Sequence, residues 1–130
     1  ELEKAADEEV DHLAWCNLRI KELGGQTSKL NPFLYSGSFV IGAITSFIDE
    51  KSNLGFLAET EKQVASHLSG HLERVDKSDI KTIRILEAMK ADEEGHENSA
   101  IKMGAKELPL LTKKIMAKAS KLMTKTTFYI

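Results

Sequence analysis

The chain reads as an all-α protein, and three observations predict it. Apolar residues recur at three- and four-residue spacing through several long stretches. Both prolines, Pro32 and Pro109, stand where helices would begin. No sustained strand-like alternation competes, apart from the last residues, 126–130. At 130 residues the chain is one domain, large enough for a single core.

The first helix is predicted over residues 1–23, with Leu2, Ala5, Glu9, Leu13, Cys16, Ile20 and Leu23 on one face. Gly24 and Gly25 stop it, and a polar loop runs to Leu30. The chain opens on Glu1 already in helical register, with no capping residue ahead of it. A natural segment before Glu1 is therefore expected. Asn31 and Pro32 read as a helix cap and first position. They lead into sixteen residues without a charge, 33–48, rich in small residues. This run is short for a membrane span and lacks the apolar periodicity of a surface helix. It suits a buried or interfacial helix, packed in a core, against another helix or among acyl chains. Residues 49–53 read as a turn. A third helix follows over 54–75, with Leu54, Leu57, Glu61, Val64, Leu68, Leu72 and Val75 on one face. A fourth runs from Ser78 or Asp79 to Met103, with Thr82, Leu86, Met89, Glu93, His96, Ala100 and Met103 on one face, and Gly104 ends it. Pro109 opens a last helix to about Lys125.

Two of these helices repeat one pattern, Glu-x-x-His: Glu9 with His12, and Glu93 with His96. Residues three apart on a helix project from the same side, so each pair offers a carboxylate and an imidazole to one point. In all three long helices a glutamate takes a position that the stripe would make apolar: Glu9, Glu61 and Glu93. An ionised carboxylate is costly to bury unless it is paired or coordinates a cation. Three of them with two histidines call for divalent metal, and carboxylate plus imidazole donors without thiolate suit iron or manganese. The same stripes put Glu8, Glu59, Glu94, Lys62 and Glu97 on the solvent side. The full two-metal pattern of a four-helix bundle is one glutamate from each of two helices plus one Glu-x-x-His from each of the others. Only one lone glutamate, Glu61, is present, so the sixth ligand is expected on a helix before Glu1.

Composition narrows the function further. A net charge of −2 and no basic patch interleaved with aromatics give no reason to invoke nucleic acid. The single cysteine, Cys16, excludes an internal disulfide and a cysteine metal site. No glycine-rich dinucleotide fingerprint follows a strand, so electrons must come from outside. The last helix sets Leu110, Leu111, Ile115, Met116, Ala119, Leu122 and Met123 among Lys113, Lys114, Lys118, Lys121 and Lys125, with no acidic residue. It reads as a basic amphipathic element for a membrane surface, or as a solvated face packed on the bundle.

The segments DEEVDHLAWC, ELGGQTSKLNPFLYSGSF, LGFLAETEKQVASHL and MKADEEGHENSAIKMGA, and the terminal KLMTKTTFYI, resemble the bacterial demethoxyubiquinone hydroxylases of ubiquinone biosynthesis, over essentially the whole chain. The resemblance implies a ferritin-like helical bundle, here without its expected first helix, holding two ferrous ions. It implies an O2-dependent monooxygenase that hydroxylates the ring of 2-polyprenyl-3-methyl-6-methoxy-1,4-benzoquinol, with NADH or a reductase as electron source. Carried over residue by residue, the family's ligands fall on Glu9, His12, Glu61, Glu93 and His96. A histidine near the quinone matches His67, which reads equally as a plain polar residue six positions beyond Glu61. The prenylated substrate implies a peripheral protein on the cytoplasmic face of the bacterial inner membrane, self-associated or in contact with other ubiquinone-biosynthesis proteins. Two other readings use the same residues: a ferroxidase or iron-storage protein, and a non-enzymatic quinone- or lipid-binding scaffold.

Overall fold

The structure, a computed structural model, describes residues 2–45, 47 and 49–130. Glu1, Ser46 and Ile48, which the sequence assigns to helical runs, lie outside the described residues. Five α-helices follow in order: α1 (Leu2–Glu22), α2 (Asn31–Thr45), α3 (Glu50–Arg74), α4 (Ile80–Lys102) and α5 (Leu110–Tyr129). The described residues contain no strand.

α3 and α4 form the central pair. Val75–Asp79 joins them, Ser78 binding the Asp76 carboxylate through both its backbone N–H and its hydroxyl. Asp79 then caps α4 by accepting from the Thr82 N–H at 3.0 Å. α1 lies antiparallel to α4, and the contacts at its two ends show this. Near its C-terminus, Arg19 bonds Asp79 at 2.7 Å and Thr82 at 2.8 Å, at the start of α4. Nearer its N-terminus, Glu8 reaches His96, toward the end of α4. Cys16 and Met89 meet midway, at 3.7 Å between sulfurs. α1 stops at Gly24 and α4 at Gly104, both at positive φ (73° and 100°), each followed by the back-bond of a closed helix end, Gly25 N–H to Ile20 and Ala105 N–H to Ala100.

Three sequence expectations change. Residues 49–53 are not a turn: Asp49 is the N-cap of α3, accepting from the Ser52 N–H at 3.0 Å, and the helix begins at Glu50. The terminal 126–130 alternation is not extended, since α5 runs on to Tyr129. Thr126 and Thr127 donate their hydroxyls to carbonyls four residues back, which lets β-branched residues sit in a helix. The inward side of α1 is also rotated. His12 is buried while Leu13 is 60% exposed, so the face runs through Ala5, Glu8, His12, Cys16 and Ile20. The Arg19–Asp79 contact lies on the same side of α1 and agrees with that rotation.

The buried apolar residues are few: Leu54, Ala65, Leu68, Met89 and Ala100. The accessible surface is 9454 Å², against roughly 6,900 Å² for a compact monomer of this mass. Exposed apolar residues lie on α1, where Val10, Leu13 and Leu18 face out, as well as on α2 and α5. On α2, Phe33, Tyr35, Phe39 and Ile44 are exposed, so the uncharged run is not core in this chain. α5 meets α3 with polar residues, Lys113 lying 3.7 Å from Glu59, while Leu111, Ile115 and Leu122 face away.

One close approach shapes the site's scaffold. A Cβ on Gly55 would lie 2.1 Å from the Lys106 carbonyl, where the α4–α5 loop crosses α3 and the Lys106 N–H bonds the Lys51 carbonyl at 2.8 Å. Backbone, not a flexible side chain, would have to move. Gly55→Ala is expected to destabilise the fold by about 1–3 kcal/mol, read as a lower urea midpoint. An unchanged midpoint would mean the loop does not pack there.

Candidate metal centre

The centre forms where α1, α3 and α4 meet. Glu9 and His12 come from α1, Glu61 from α3, and Glu93 and His96 from α4. His12, Glu61, Glu93 and His96 are all buried, while Glu9 sits at the rim with its side chain half exposed. The donor atoms of Glu9, Glu61, Glu93 and His96 all lie within 4.8 Å of one another.

The two pairs interlock. One oxygen of Glu9 lies 3.7 Å from His12 Nδ1 and the other 3.7 Å from His96 Nδ1. Glu93 does the same, at 3.5 Å from His12 and 3.8 Å from His96. These separations are too long for hydrogen bonds. They suit atoms that share an ion, since two donors at about 2.1 Å from a metal stand roughly 3–4 Å apart. Accordingly His12 Nδ1, His96 Nδ1 and Glu93 Oε2 are buried with no hydrogen-bond partner. Orphaned polar atoms of this kind are rare in a finished interior, and all three belong to the carboxylate–histidine cluster. The residues present fit a metal.

The outer ring nitrogens are held as firmly as the inner ones are free. His12 Nε2 lies 3.0 Å from Asp92, and His96 Nε2 lies 2.9 Å from Glu8. Each outer carboxylate is the residue just before a ligand glutamate, and each braces the histidine of the other pair. An Nε2–H donated outward leaves the Nδ1 lone pair facing inward, the tautomer a metal needs. Glu8 is thus not solvent-facing as its stripe position suggested. It is held by Lys4 and His96, which lower its pKa. Glu59 is also inside, accepting from Gln63 and facing Lys113. Glu94 does face solvent, Lys62 is exposed, and Glu97 is half-buried.

Without a cation the carboxylates destabilise one another. Burial, then the hydrogen bond and charge of Glu61, push Glu93 up to about 8. Burial also raises Glu61, and burial with the charge of Glu93 raises Glu9. At neutral pH the metal-free cluster therefore keeps a proton between Glu61 and Glu93.

His67 is not brought to this cluster. It is exposed on α3, with its ring against His71. A cavity of about 140 Å³, lined in part by Ala5, Leu57, Glu61, Gly95, His96 and Met103, opens beside the centre. It is smaller than the ~300–1,000 Å³ usual for drug-sized ligands. A wider apolar groove of about 510 Å³, lined in part by Cys16, Ile20, Leu23, Val75, Ile85 and Leu86, begins one helical turn away, at Cys16.

Fold and centre together define a ferritin-like, all-α bundle with a carboxylate–histidine cluster that could hold metal. Residues 1–127 match the family model described as "Ubiquinone biosynthesis protein COQ7", and the chain belongs to that family. It is 49% identical over 130 residues to a 3-demethoxyubiquinol 3-hydroxylase of Legionella pneumophila (strain Corby), covering 100% of this chain and 61% of the relative. It is 52% identical over 130 residues to the protein of that name from Acinetobacter baylyi, covering 100% and 62%. The protein of that name from Nitrosospira multiformis is 49% identical over 129 residues, covering 99% and 62%. The chain thus spans about three-fifths of the length of these curated relatives. No solved structure matches it.

Two outcomes test the centre. Asp92→Ala or Glu8→Ala is expected to weaken Fe2+ or Mn2+ binding about 10–100-fold with helicity intact, whereas Glu94→Ala leaves it unchanged; equal affinities in all three would remove the bracing role. The second outcome concerns pH. The raised Glu93 pKa means that its protonated form stabilises the metal-free fold fully below 4.5, and that this contribution is lost as pH rises through about 8. The metal-free thermal midpoint should fall on the order of 10 °C from about pH 5 to pH 8. The fall should be smaller in Glu93→Gln and largely absent with divalent metal bound.

Proposed function

We propose that the chain forms the catalytic bundle of a 3-demethoxyubiquinol 3-hydroxylase that uses two iron ions and O2. One observation carries the two-ion reading: Glu9 and Glu93 each direct one oxygen toward His12 and the other toward His96. Glu9 and Glu93 would be the residues shared between two ions, with His12 and His96 each holding one of them. Glu61 joins the His96 end. Among the described residues no matching carboxylate joins the His12 end, so the four-helix two-metal pattern is one carboxylate short here.

The bound ions would supply O2 activation for insertion of one oxygen atom into a ring C–H bond of 2-polyprenyl-3-methyl-6-methoxy-1,4-benzoquinol. The other oxygen leaves as water, with two electrons and two protons consumed. NADH or a reductase supplies the electrons, since the chain carries no dinucleotide fingerprint. The chain's residues do the rest. Glu8 and Asp92 keep both imidazoles in one tautomer, and Leu57, Met89 and Ala100 limit water at the cluster. The small cavity at Glu61 and His96 has room for O2. The apolar groove ending at Cys16 suits the prenylated ring's approach along α1 and α4. His67, on the outer flank of α3, belongs to this reading only as a residue near the route of electrons or quinone.

A prenylated substrate supports a protein bound at a membrane surface, proposed as the cytoplasmic side of a bacterial inner membrane. The exposed apolar residues of α2 and the lysine-flanked outer face of α5 support a surface-bound state. Among the described residues no helix is long and apolar enough to cross a membrane. Association with a second copy or with other ubiquinone-biosynthesis proteins would cover the same faces.

The test is O2-dependent hydroxylation of a short-chain demethoxyubiquinol analogue by the iron-loaded, full-length protein. One hydroxylated ring per O2 is expected, with at least a 100-fold loss in Glu61→Ala. Iron oxidation without ring product would replace this reading with a ferroxidase. Co-sedimentation with anionic vesicles, reduced when Phe33 and Phe39 become serine, is the matching expectation for the membrane.

A further inference from the structure

α3 carries a second pair of histidines, His67 and His71, that the carboxylate centre does not use. They stand four residues apart and so share one side of the helix. Their Nε2 atoms are 2.9 Å apart and their ring centroids 4.5 Å. Two nitrogens at that distance share a single hydrogen, so both rings cannot be protonated on those atoms at once. At least one lone pair is therefore already directed at the space between the rings. Replacing the shared proton with a metal ion uses the atoms where they stand.

We propose that His67 and His71 form a separate metal site selective for Cu2+. The distance makes the choice. At metal–nitrogen bonds of about 2.0–2.1 Å, nitrogens 2.9 Å apart subtend about 90° at the ion. Tetrahedral zinc needs a wider angle. A right angle is the cis geometry of tetragonal copper or nickel, and copper binds more tightly in the divalent series. Imidazole donors without carboxylate also separate this site from the oxygen-rich centre on the same helix. His67 lines the groove of about 610 Å³ between α3 and α5, and His71 lines the apolar groove that reaches Cys16, so the pair stands between two open grooves from which water can complete the ion's coordination. Arg74 approaches His71 Nδ1 at 3.5 Å and donates its Nε–H to the Gly70 carbonyl at 2.9 Å, on the side of the ring away from the shared Nε2 space. The site stands on its own geometry, whether or not the bundle is a hydroxylase.

The experiment is Cu2+ titration of the iron-loaded full-length protein, read by electron paramagnetic resonance and calorimetry. One tetragonal copper with splittings from two imidazole nitrogens is expected. His71→Ala, at an exposed position, should weaken copper at least tenfold and remove one nitrogen from the spectrum, while Glu61→Ala should leave both unchanged. Copper that persists with the same spectrum in His71→Ala overturns the proposal. So does copper that is lost in Glu61→Ala but kept in His71→Ala, which would place the ion among the carboxylates. Failure of ring hydroxylation alone changes neither copper outcome.

Discussion

Three buried or half-buried glutamates meeting at one point are the constraint on which this structure turns. Glu93 is almost fully buried beside Glu61, and Glu9 closes the third side. Each carboxylate taken from water costs several kcal/mol unless its charge is answered. Among the described residues no lysine or arginine pairs with any of the three. The two histidines present unpartnered nitrogens rather than hydrogen bonds. Only two remedies fit those atoms: protons, which the raised pKa values supply when metal is absent, or cations, which the donor spacing suits. The cluster thus carries a cost in folding stability that a bound cation would relieve.

The cross-bracing of the two Glu-x-x-His pairs explains why α1 and α4 must run antiparallel. Each pair contributes its preceding acidic residue to the other's histidine: Asp92 to His12 and Glu8 to His96. Reversing one helix would carry the acid and the histidine of its pair to opposite ends. The Arg19 contacts with Asp79 and Thr82 fix the same alignment two turns further along. Asp79 is therefore both helix cap and interhelical anchor. Its pKa is depressed to about 2, chiefly by Thr82 and then by Arg19, so that anchor persists until strongly acid pH.

The helices and the residues that cluster between them are legible because their signals are local. A glutamate inside an apolar stripe is anomalous in one helix alone, and Glu61 and Glu93 stood out on that ground. The outer carboxylates were not legible. Glu8 lies off the predicted stripe, and what brings it inward is the rotation of α1 against α4, a tertiary packing that also joins Arg19 to Asp79, sixty residues away in sequence. Glu59 was misplaced for the same reason, since its partner Lys113 lies beyond the α4–α5 loop. Asp49 was missed as a cap because an uncharged run ending just before it drew the helix boundary to Leu54. The threonines near the C-terminus suggested a strand by composition, but their hydroxyl bonds to the helix backbone outweigh that preference.

What the bundle leaves uncovered follows from the same economy of partners. α5 turns polar residues toward α3, where Lys113 faces Glu59, and its leucines outward. A soluble helix normally does the reverse. α2 leaves its aromatic residues exposed in the same way. Apolar surface in this amount is unstable in water at roughly 25 cal/mol per Å², so its persistence on two helices argues for a covering environment. The lysines flanking the outer face of α5 restrict that environment to one that tolerates positive charge beside hydrocarbon. An anionic bilayer would meet both conditions at once, in line with the surface-bound state proposed above.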